Sequence, residues 1–194
     1  MDALADVMAD DYRSGSEGAS AERRGELFRH VTALLVLVVD RCLQEHLDVY
    51  DAVPVRLADM VAPPMRGEAA HRLAGLGRAP AGIVRRLALD DIEVAAPLLG
   101  HSTALDENDL VAIACSRGEP HRLAIAARSG LSARVAETLV VHGDDPVRRA
   151  VAGNRSAAIS ARAFHCLYDQ ARRDPVLRRL LAARDDVPRL LLTH

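Results

Sequence analysis

The amino-acid sequence predicts an all-α protein: a short right-handed α-solenoid of paired helices, with repeats of about 27 residues, behind an N-terminal helical cap. Three observations predict this class. Apolar residues make up 49% of the chain, whereas aromatic residues make up only 3% and Trp is absent. The apolar content is mostly Ala, Leu and Val, and Ala and Leu are strong helix formers. Helix-start signals also recur at nearly constant spacing through the second half, which is typical of stacked repeats.

Residues 1–78 are predicted to form the cap, or a degenerate first repeat, because terminal repeats are atypical. A short helical pattern over 1–12 is followed by a Ser- and Gly-rich link over 13–18. A long helix is predicted from about residue 20 to Leu47, because its apolar residues recur at helical spacing. Two shorter helices follow, over 51–61 with Pro54 in the first turn, and over 65–77 after two prolines.

Residues 79–194 are predicted to form helical repeats, packed with the cap as one continuous domain. Each repeat opens with an apolar residue followed by a helix-starting residue. These starts are separated by 26, 26, 28 and 28 residues and fall at Pro80, Asp106, Ser132, Ser160 and Pro188. Asp and Ser side chains accept hydrogen bonds from the free N–H groups of a helix start, and Pro fits the first turn, where no N–H is needed.

A second set of start signals lies between these positions. Acidic or Gly residues open segments at Asp90, Gly118, Asp144 and Asp174, and the last three of these are followed by Pro within two residues. Each unit therefore holds two helices of roughly ten residues. A helix pair that short cannot bury its apolar stripe alone, so consecutive pairs are expected to stack and share one core.

The charge and the cysteines of the chain indicate the cellular environment in which the protein is expected. The net charge is −2, and all 25 basic residues are Arg. Residues 1–60 carry −6 and residues 61–194 carry +4. The three cysteines, Cys42, Cys115 and Cys166, are isolated in apolar runs, so we expect buried free thiols in a reducing compartment. The apolar run Val31–Val39 is about 14 Å long as a helix, which is too short for a membrane span, and no signal peptide is visible. A cytoplasmic protein is expected.

Catalytic and metal-binding signals are weak. The sequence has no P-loop, GxGxxG, HExxH, CxxC or GxSxG pattern. The closest metal-like grouping combines Cys115, His121 and the adjacent His165 and Cys166. Adjacent residues on a helix point about 100° apart, so these last two cannot easily share a metal ion. We therefore expect no enzyme activity, no catalytic residue, no cofactor and no metal site.

Arginines provide the candidate partner-binding residues. Three of them, Arg122, Arg148 and Arg178, follow the acidic starts of successive helices by three or four residues, so stacking would align them in a column. One interpretation is a structural ladder in which each Arg binds an acidic residue such as Asp145 or Asp174. The other is a basic groove for an acidic peptide or a phosphate backbone. The complete candidate set is Arg122, Arg128, Arg148, Arg155 and Arg178.

The long N-terminal helix suggests self-association. Apolar residues at 27, 31, 34, 35, 38, 39, 42 and 43 form one broad face, and Val36 and Leu37 extend it. A surface helix needs an apolar stripe of about 100°, and this face is wider. Either the helices predicted at 51–61 and 65–77 cover it within one chain, or a second chain covers it in a homodimer built on residues 27–47.

Two runs of sequence carry a family resemblance: Arg85–Ser102 and His121–Ser132. Together with the N-terminal pattern Arg24, Leu27-Phe28, Val31-Thr32 and Leu34, they resemble a bacterial family, domain-of-unknown-function family 2336. That family is similar to HEAT and leucine-rich-variant helical repeats, so the resemblance implies HEAT-like repeats from about residue 22 to 194. Members often carry a further C-terminal region, and functions located there are not carried over. The family has no established catalytic residues.

These observations favour a non-catalytic adaptor or scaffold that binds other proteins in a bacterial cytoplasm. Regulation of a partner is one role that such an adaptor could have. Its protein partner is unknown. The alternative is a nucleic-acid-binding helical-repeat protein that uses an Arg-lined groove. The net charge of −2 and the scarcity of aromatic residues for base stacking disfavour nucleic acid as the partner.

Overall fold

A computed structural model describes residues 2–39 and 44–187, with side chains placed for 20–39 and 51–187. Over these residues the chain forms eleven α-helices and no strand. The helices are α1 (Asp2–Val38), α2 (Gln44–Ala58), α3 (Pro63–Ala74), α4 (Ala81–Ala88), α5 (Ile92–His101), α6 (Glu107–Ser116), α7 (Glu119–Ala126), α8 (Ala133–His142), α9 (Asp145–Gly153), α10 (Ala161–Ala171) and α11 (Pro175–Ala182). The predicted all-α class is confirmed.

The helices pack in two rows. The odd-numbered row runs in chain order, with α1 against α3, α3 against α5, and so on to α9 against α11. In the other row α2 packs on α4, α6 on α8, and α8 on α10. Consecutive helices such as α4 and α5, or α8 and α9, join the rows. Each helix therefore contacts at least one sequence neighbour and at least one helix two places away.

One apolar cluster runs along the whole interface between the rows, from Phe28 on α1 to Leu181 on α11. Many of its members are alanines with no exposed surface, including Ala88, Ala95 and Ala126. Small side chains at these contacts let helix axes approach closely, because the ridges of one helix fit shallow grooves of the next. The Ala-rich composition is thus used for packing between helices.

The predicted helix starts of the second half are confirmed where the structure describes them. Ser132 and Ser160 accept the N–H groups of Val135 and Ala163, three residues later. Asp106 accepts from Asp109 and also donates its own N–H to the Asp109 carboxylate, forming a capping box. The second set of starts is confirmed at α5, α7, α9 and α11. Pro80 precedes α4 instead of lying in its first turn, and Pro188 lies outside the described residues.

The N-terminal boundaries differ from the prediction. The link expected at 13–18 is helical, and α1 runs through it. This stretch contains Gly15 and Gly18 but no Pro, so helix propagation costs about 1 kcal/mol per Gly without losing a backbone hydrogen bond. The long helix expected to reach Leu47 ends at Val38. Its last turns are rich in β-branched valine, which loses side-chain freedom in a helix. Residues 40–43 lie outside the described residues.

The next two helices also start earlier than predicted. Helix α2 begins at Gln44 and holds Pro54 in its interior instead of its first turn. Pro54 is buried, so packing offsets the loss of one helical hydrogen bond. Helix α3 begins at Pro63, and both prolines occupy its first two positions, where no N–H partner is lost.

Across residues 2–39 and 44–187, none of the helices combines the length and the apolar character that crossing a bilayer would require.

Candidate partner-binding surface

Two arginines of the predicted column occupy equivalent places in successive helix pairs. Arg122 and Arg148 are the fourth residues of α7 and α9. The Nε of Arg122 donates to the Ala114 carbonyl at 2.8 Å, and the Nε of Arg148 donates to the Val140 carbonyl at 3.0 Å. Each side chain therefore satisfies a carbonyl at the end of the preceding helix, one of those left without a partner by the helix end. Arg148 also lies 3.3 Å from Asp145 in its own helix.

Arg178 is the fourth residue of α11 but is exposed. The carbonyl at the same offset of eight residues, that of Gln170, already accepts the backbone N–H groups of Arg173 and Asp174. This difference follows from the connection: α10 is followed by three residues before the next helix, whereas α6 and α8 are each followed by two. The predicted column therefore contains two docked arginines and one exposed arginine.

A second set of side chains docks between helices of the odd-numbered row. Arg128 donates to the carbonyls of Leu99 at 2.7 Å and Ser102 at 2.8 Å, at the end of α5. Burial lowers the pKa of the Arg128 guanidinium. Asn154 donates to the Ala126 carbonyl at the end of α7, and Arg184 donates to the Asn154 carbonyl at 2.6 Å after α9.

These three residues, Arg128, Asn154 and Arg184, each stand tenth from the start of their helix. They form a donor column that joins α5, α7, α9 and α11. Sequence reasoning included Arg128 for a different role and missed the other two. The available signal was a long polar donor just after the end of every second helix.

Ion pairs link the even-numbered row. Arg86 on α4 donates to Asp59 at 2.8 Å, and Arg85 donates to Asp109 on α6 at 2.8 Å. Farther along, Arg162 on α10 lies 3.4 Å from Glu137 on α8. A structural ladder of this kind was expected, but for a different set of arginines. Exposed pairs of this sort contribute about 0–1 kcal/mol each, so they set register more than stability.

Two acidic residues are held more firmly. The hydrogen bond from Arg149 to Asp174, at 2.6 Å, lowers the pKa of Asp174 although desolvation opposes it. Asp90 is buried, and burial alone would raise its pKa. The hydrogen bonds from Arg66 and from the Asp91 N–H outweigh that effect, and the pKa of Asp90 is lowered. Asp174 therefore pairs with Arg149, and not with an arginine of the predicted column as expected from the sequence.

Metal-ligand geometry is absent from the part of the chain that the structure describes: no three His, Cys, Asp or Glu side chains converge there. His121 is buried, with its Nε2 2.9 Å from the Asp90 carbonyl. The expectation of buried thiols is wrong for Cys115, which is exposed because Ile113 and Ala114 take the core-facing positions of that turn. Cys166 is half-buried, and Cys42 lies outside the described residues.

Residues 94–194, just over half of the chain, match the family described as "Uncharacterised protein conserved in bacteria (DUF2336)". The chain belongs to this family. The match covers α6 to α11 and most of α5, which contain both docked columns. No curated protein and no solved structure is similar enough to the chain to add a relative.

Between residues 150 and 187 of this DUF2336 chain, five arginines are exposed, and their guanidinium groups make no hydrogen bond or ion pair with the residues described here. Two belong to the predicted set, Arg155 and Arg178, and sequence reasoning missed the other three. We call them the C-terminal arginines: Arg155, Arg172, Arg173, Arg178 and Arg179. They lie between α9 and the end of α11 in the sequence. By contrast, the guanidinium groups of Arg122, Arg128 and Arg148 donate hydrogen bonds to backbone carbonyls.

An apolar strip crosses the outer side of the odd-numbered row. The second, sixth and ninth residues from a helix start share one helix face, and in α5, α7, α9 and α11 they are small or apolar with one exception, Glu93. We call these positions the odd-row strip: Glu93, Pro97, Gly100, Pro120, Ala124, Ala127, Pro146, Ala150, Gly153, Val176, Leu180 and Ala183. All are exposed or half-buried. Helices α9 and α11 meet along it, since a Cβ at Gly153 would lie 3.6 Å from the Leu180 side chain.

Proposed function

We propose that the protein is a non-catalytic adaptor of the bacterial cytoplasm that binds another protein along the odd-row strip. In this proposal the two helix rows are a short right-handed α-solenoid, similar to HEAT and leucine-rich-variant repeats. The contacts of every odd-numbered helix with the next in its row, and of α2 with α4, α6 with α8 and α8 with α10, support that architecture. Solenoids of this kind present an extended surface, and binding on such surfaces is their usual use.

The observation that carries the proposal is the combination of the odd-row strip with the C-terminal arginines. Val176 is 49% exposed at the strip's end, on the helix that also bears Arg178 and Arg179. An apolar surface beside unpaired positive charge suits an amphipathic segment with acidic side chains. Such a segment would place its apolar face on the strip and its carboxylates against the arginines. The partner we propose is therefore a protein with an acidic amphipathic helix.

The experiment is affinity capture from the native cytoplasm with three matched baits. The first is the natural chain, and the second is an Ala127→Glu, Ala183→Glu variant, which places like charge on the strip at exposed positions. The third carries Ala112→Glu, an exposed alanine on α6 in the other row. The proposal requires a stoichiometric protein that the natural chain and the α6 variant retain and the strip variant loses. Equal retention by all three, or recovery of chaperones alone, would exclude the strip.

The nucleic-acid alternative is tested by the salt dependence of binding. Phosphate contacts made by Arg release counterions, so affinity falls steeply with salt. The odd-row strip is nearly uncharged, and the C-terminal arginines lie around α10 and α11, at one end of it. We expect no shifted complex with duplex or single-stranded DNA or RNA at physiological salt. A complex that Arg178→Glu, Arg179→Glu abolishes, with a steep salt slope, would favour the alternative over the adaptor.

A further inference from the structure

Helix α1 has two apolar faces, and only one of them is covered. Phe28, Thr32, Leu35 and Val39 are buried, with at most 4% of their surface exposed. Helices α2 and α3 pack on this side. On the other side Leu27 is 50% exposed, Leu34 is 59% exposed and Leu37 is 72% exposed. The covering of this helix by α2 and α3, expected as one alternative from the sequence, therefore accounts for only one of its apolar faces.

The uncovered face ends in a stretch that is apolar all round. Residues 33–39 are consecutive Ala, Leu and Val, so every direction around the helix carries an apolar side chain. A helix that is hydrophobic on all sides is normally buried on all sides. Helix α1 is also the first member of the odd-numbered row, and terminal elements of repeat arrays need a polar outer face to remain soluble. The outer face of α1 departs from that requirement.

The spacing on this face identifies its occupant. Leu27, Val31, Leu34 and Val38 are separated by four, three and four residues, which is the spacing of alternating d and a positions in a heptad. Valine at a with leucine at d favours pairs of helices over larger assemblies. Arg23 and His30, both exposed, flank the seam as a polar rim. Because an apolar seam of this pattern is complementary to itself, a second copy of this chain fits it under two-fold symmetry.

We propose that two copies of this chain associate through the α1 seam: Leu27, Val31, Leu34 and Val38, with Leu37 at its edge. The seam is about 17 Å long, and the residues one heptad before it are polar, so it is short. A standard interface buries about 1,600 Å² in total, and a shorter one gives a weaker complex. The dimer is therefore expected to dissociate in the micromolar range. The interface predicted from the sequence also included residues 40–47, of which 40–43 and the side chains of 44–47 lie outside the described residues.

Sedimentation velocity over a dilution series from hundreds of micromolar to low micromolar tests the proposal. The natural chain is expected to shift from twice 20.9 kDa toward 20.9 kDa. A Leu34→Glu, Leu37→Glu variant should remain at the single-chain mass throughout. Val141→Glu is the matched control, because Val141 is 51% exposed on α8 and should not affect association. Leu35 is unsuitable for substitution because it is 4% exposed and belongs to the core.

Two outcomes overturn the proposal: a natural chain that stays at 20.9 kDa at every concentration, and a double variant that dimerises like the natural chain. If the double variant does not fold, hydrogen exchange of the natural chain decides instead. Amides of residues 27–38 should exchange faster on dilution, whereas those of α8 should not, and exchange that is independent of concentration refutes the seam. Partner capture by the folded double variant should be unchanged, so this proposal and the adaptor proposal can fail separately.

Discussion

The carboxylate of Asp51 caps a helix that begins thirty residues later. Its Oδ1 accepts the backbone N–H of Ile83 at 2.8 Å, and its Oδ2 accepts the N–H of Gly82. Helix α4 needs this acceptor because Pro80, the residue at its N-cap, has no side-chain oxygen. Asp51 lies on α2, which packs against α4, so one side chain joins a helix start to the neighbouring helix of the row.

Removing this acceptor should destabilise the protein. Loss of an N-cap side chain costs about 1–2 kcal/mol, so Asp51→Ala should lower the melting temperature by roughly 2–8 °C. Thermal unfolding followed by circular dichroism measures this. Substitutions of two helical glycines by alanine provide a matched test of the same geometry. A Cβ at Gly82 would lie 2.5 Å from the Asp51 carboxylate, whereas a Cβ at Gly67 would meet nothing within 4 Å. Gly82→Ala should therefore destabilise and Gly67→Ala should stabilise by about 1 kcal/mol; the same sign for both contradicts the capping geometry.

Enlarging an alanine at the helix interface should have a strongly position-dependent effect. Ala126 has no exposed surface, while Ala124, two residues earlier on α7, is half-buried on the odd-row strip. Ala126→Leu forces three additional carbon atoms into a packed interface and should cost about 1–3 kcal/mol. Ala124→Leu should change stability by about 0.5 kcal/mol or less, as is usual for surface substitutions. Urea unfolding of the two variants measures the difference, and equal midpoints would show that the packing of α7 is not as described.

The Asp90 pair should make stability depend on pH. The folded pKa of Asp90 lies below its unfolded value, so its stabilising contribution is complete above the unfolded pKa, near 4. It is lost as the pH falls through the lower, folded pKa. Asp90→Asn should therefore cost roughly 3 kcal/mol at pH 7, because Arg66 and Arg86 lose a buried counterion. The variant should also lose less stability than the natural chain between pH 4 and pH 2.

The control for this pair is Glu68, which lies 2.7 Å from Arg72 across an exposed i,i+4 pair. Glu68→Gln should cost about 0.5 kcal/mol at most. Urea unfolding at several pH values compares the three chains. An Asp90→Asn curve parallel to that of the natural chain down to pH 2 would mean that another carboxylate carries the acid sensitivity.

Two arginines of the candidate set should separate structural from surface roles. Arg128 donates to carbonyls at the end of α5, so Arg128→Ala should cost roughly 2 kcal/mol by leaving those carbonyls without a buried donor. Arg155 is exposed, so Arg155→Ala should be neutral within about 0.5 kcal/mol. Melting temperatures of both variants test this. A neutral Arg128→Ala would mean that water replaces its hydrogen bonds at no cost.

The sequence by itself determined where most helices of the second half begin. Ser132, Ser160 and Asp106 act within three residues of their own position, because a cap depends on a side chain reaching the nearest free N–H groups. The spacing of the helix starts and the Ala-rich composition are likewise visible in the sequence without knowledge of the fold. The all-α class was therefore predictable, and so was the division of each repeat into two short helices. The boundaries of α1 and α2 were not: α1 continues through Gly15 and Gly18, and α2 holds the buried Pro54 in its interior.

Only the tertiary structure decided which side chains are bonded or buried within the protein and which are exposed. Arg148 and Arg178 hold the same place after acidic helix starts, yet one binds a carbonyl and the other is exposed, because a connection longer by one residue satisfies the Gln170 carbonyl. Asp51 and Ile83 meet because α2 packs on α4. Likewise, Leu34 and Leu35 are neighbours in an apolar run, and which of them is buried depends on where α3 lies. Such contacts join residues far apart in the chain, and local spacing does not encode them.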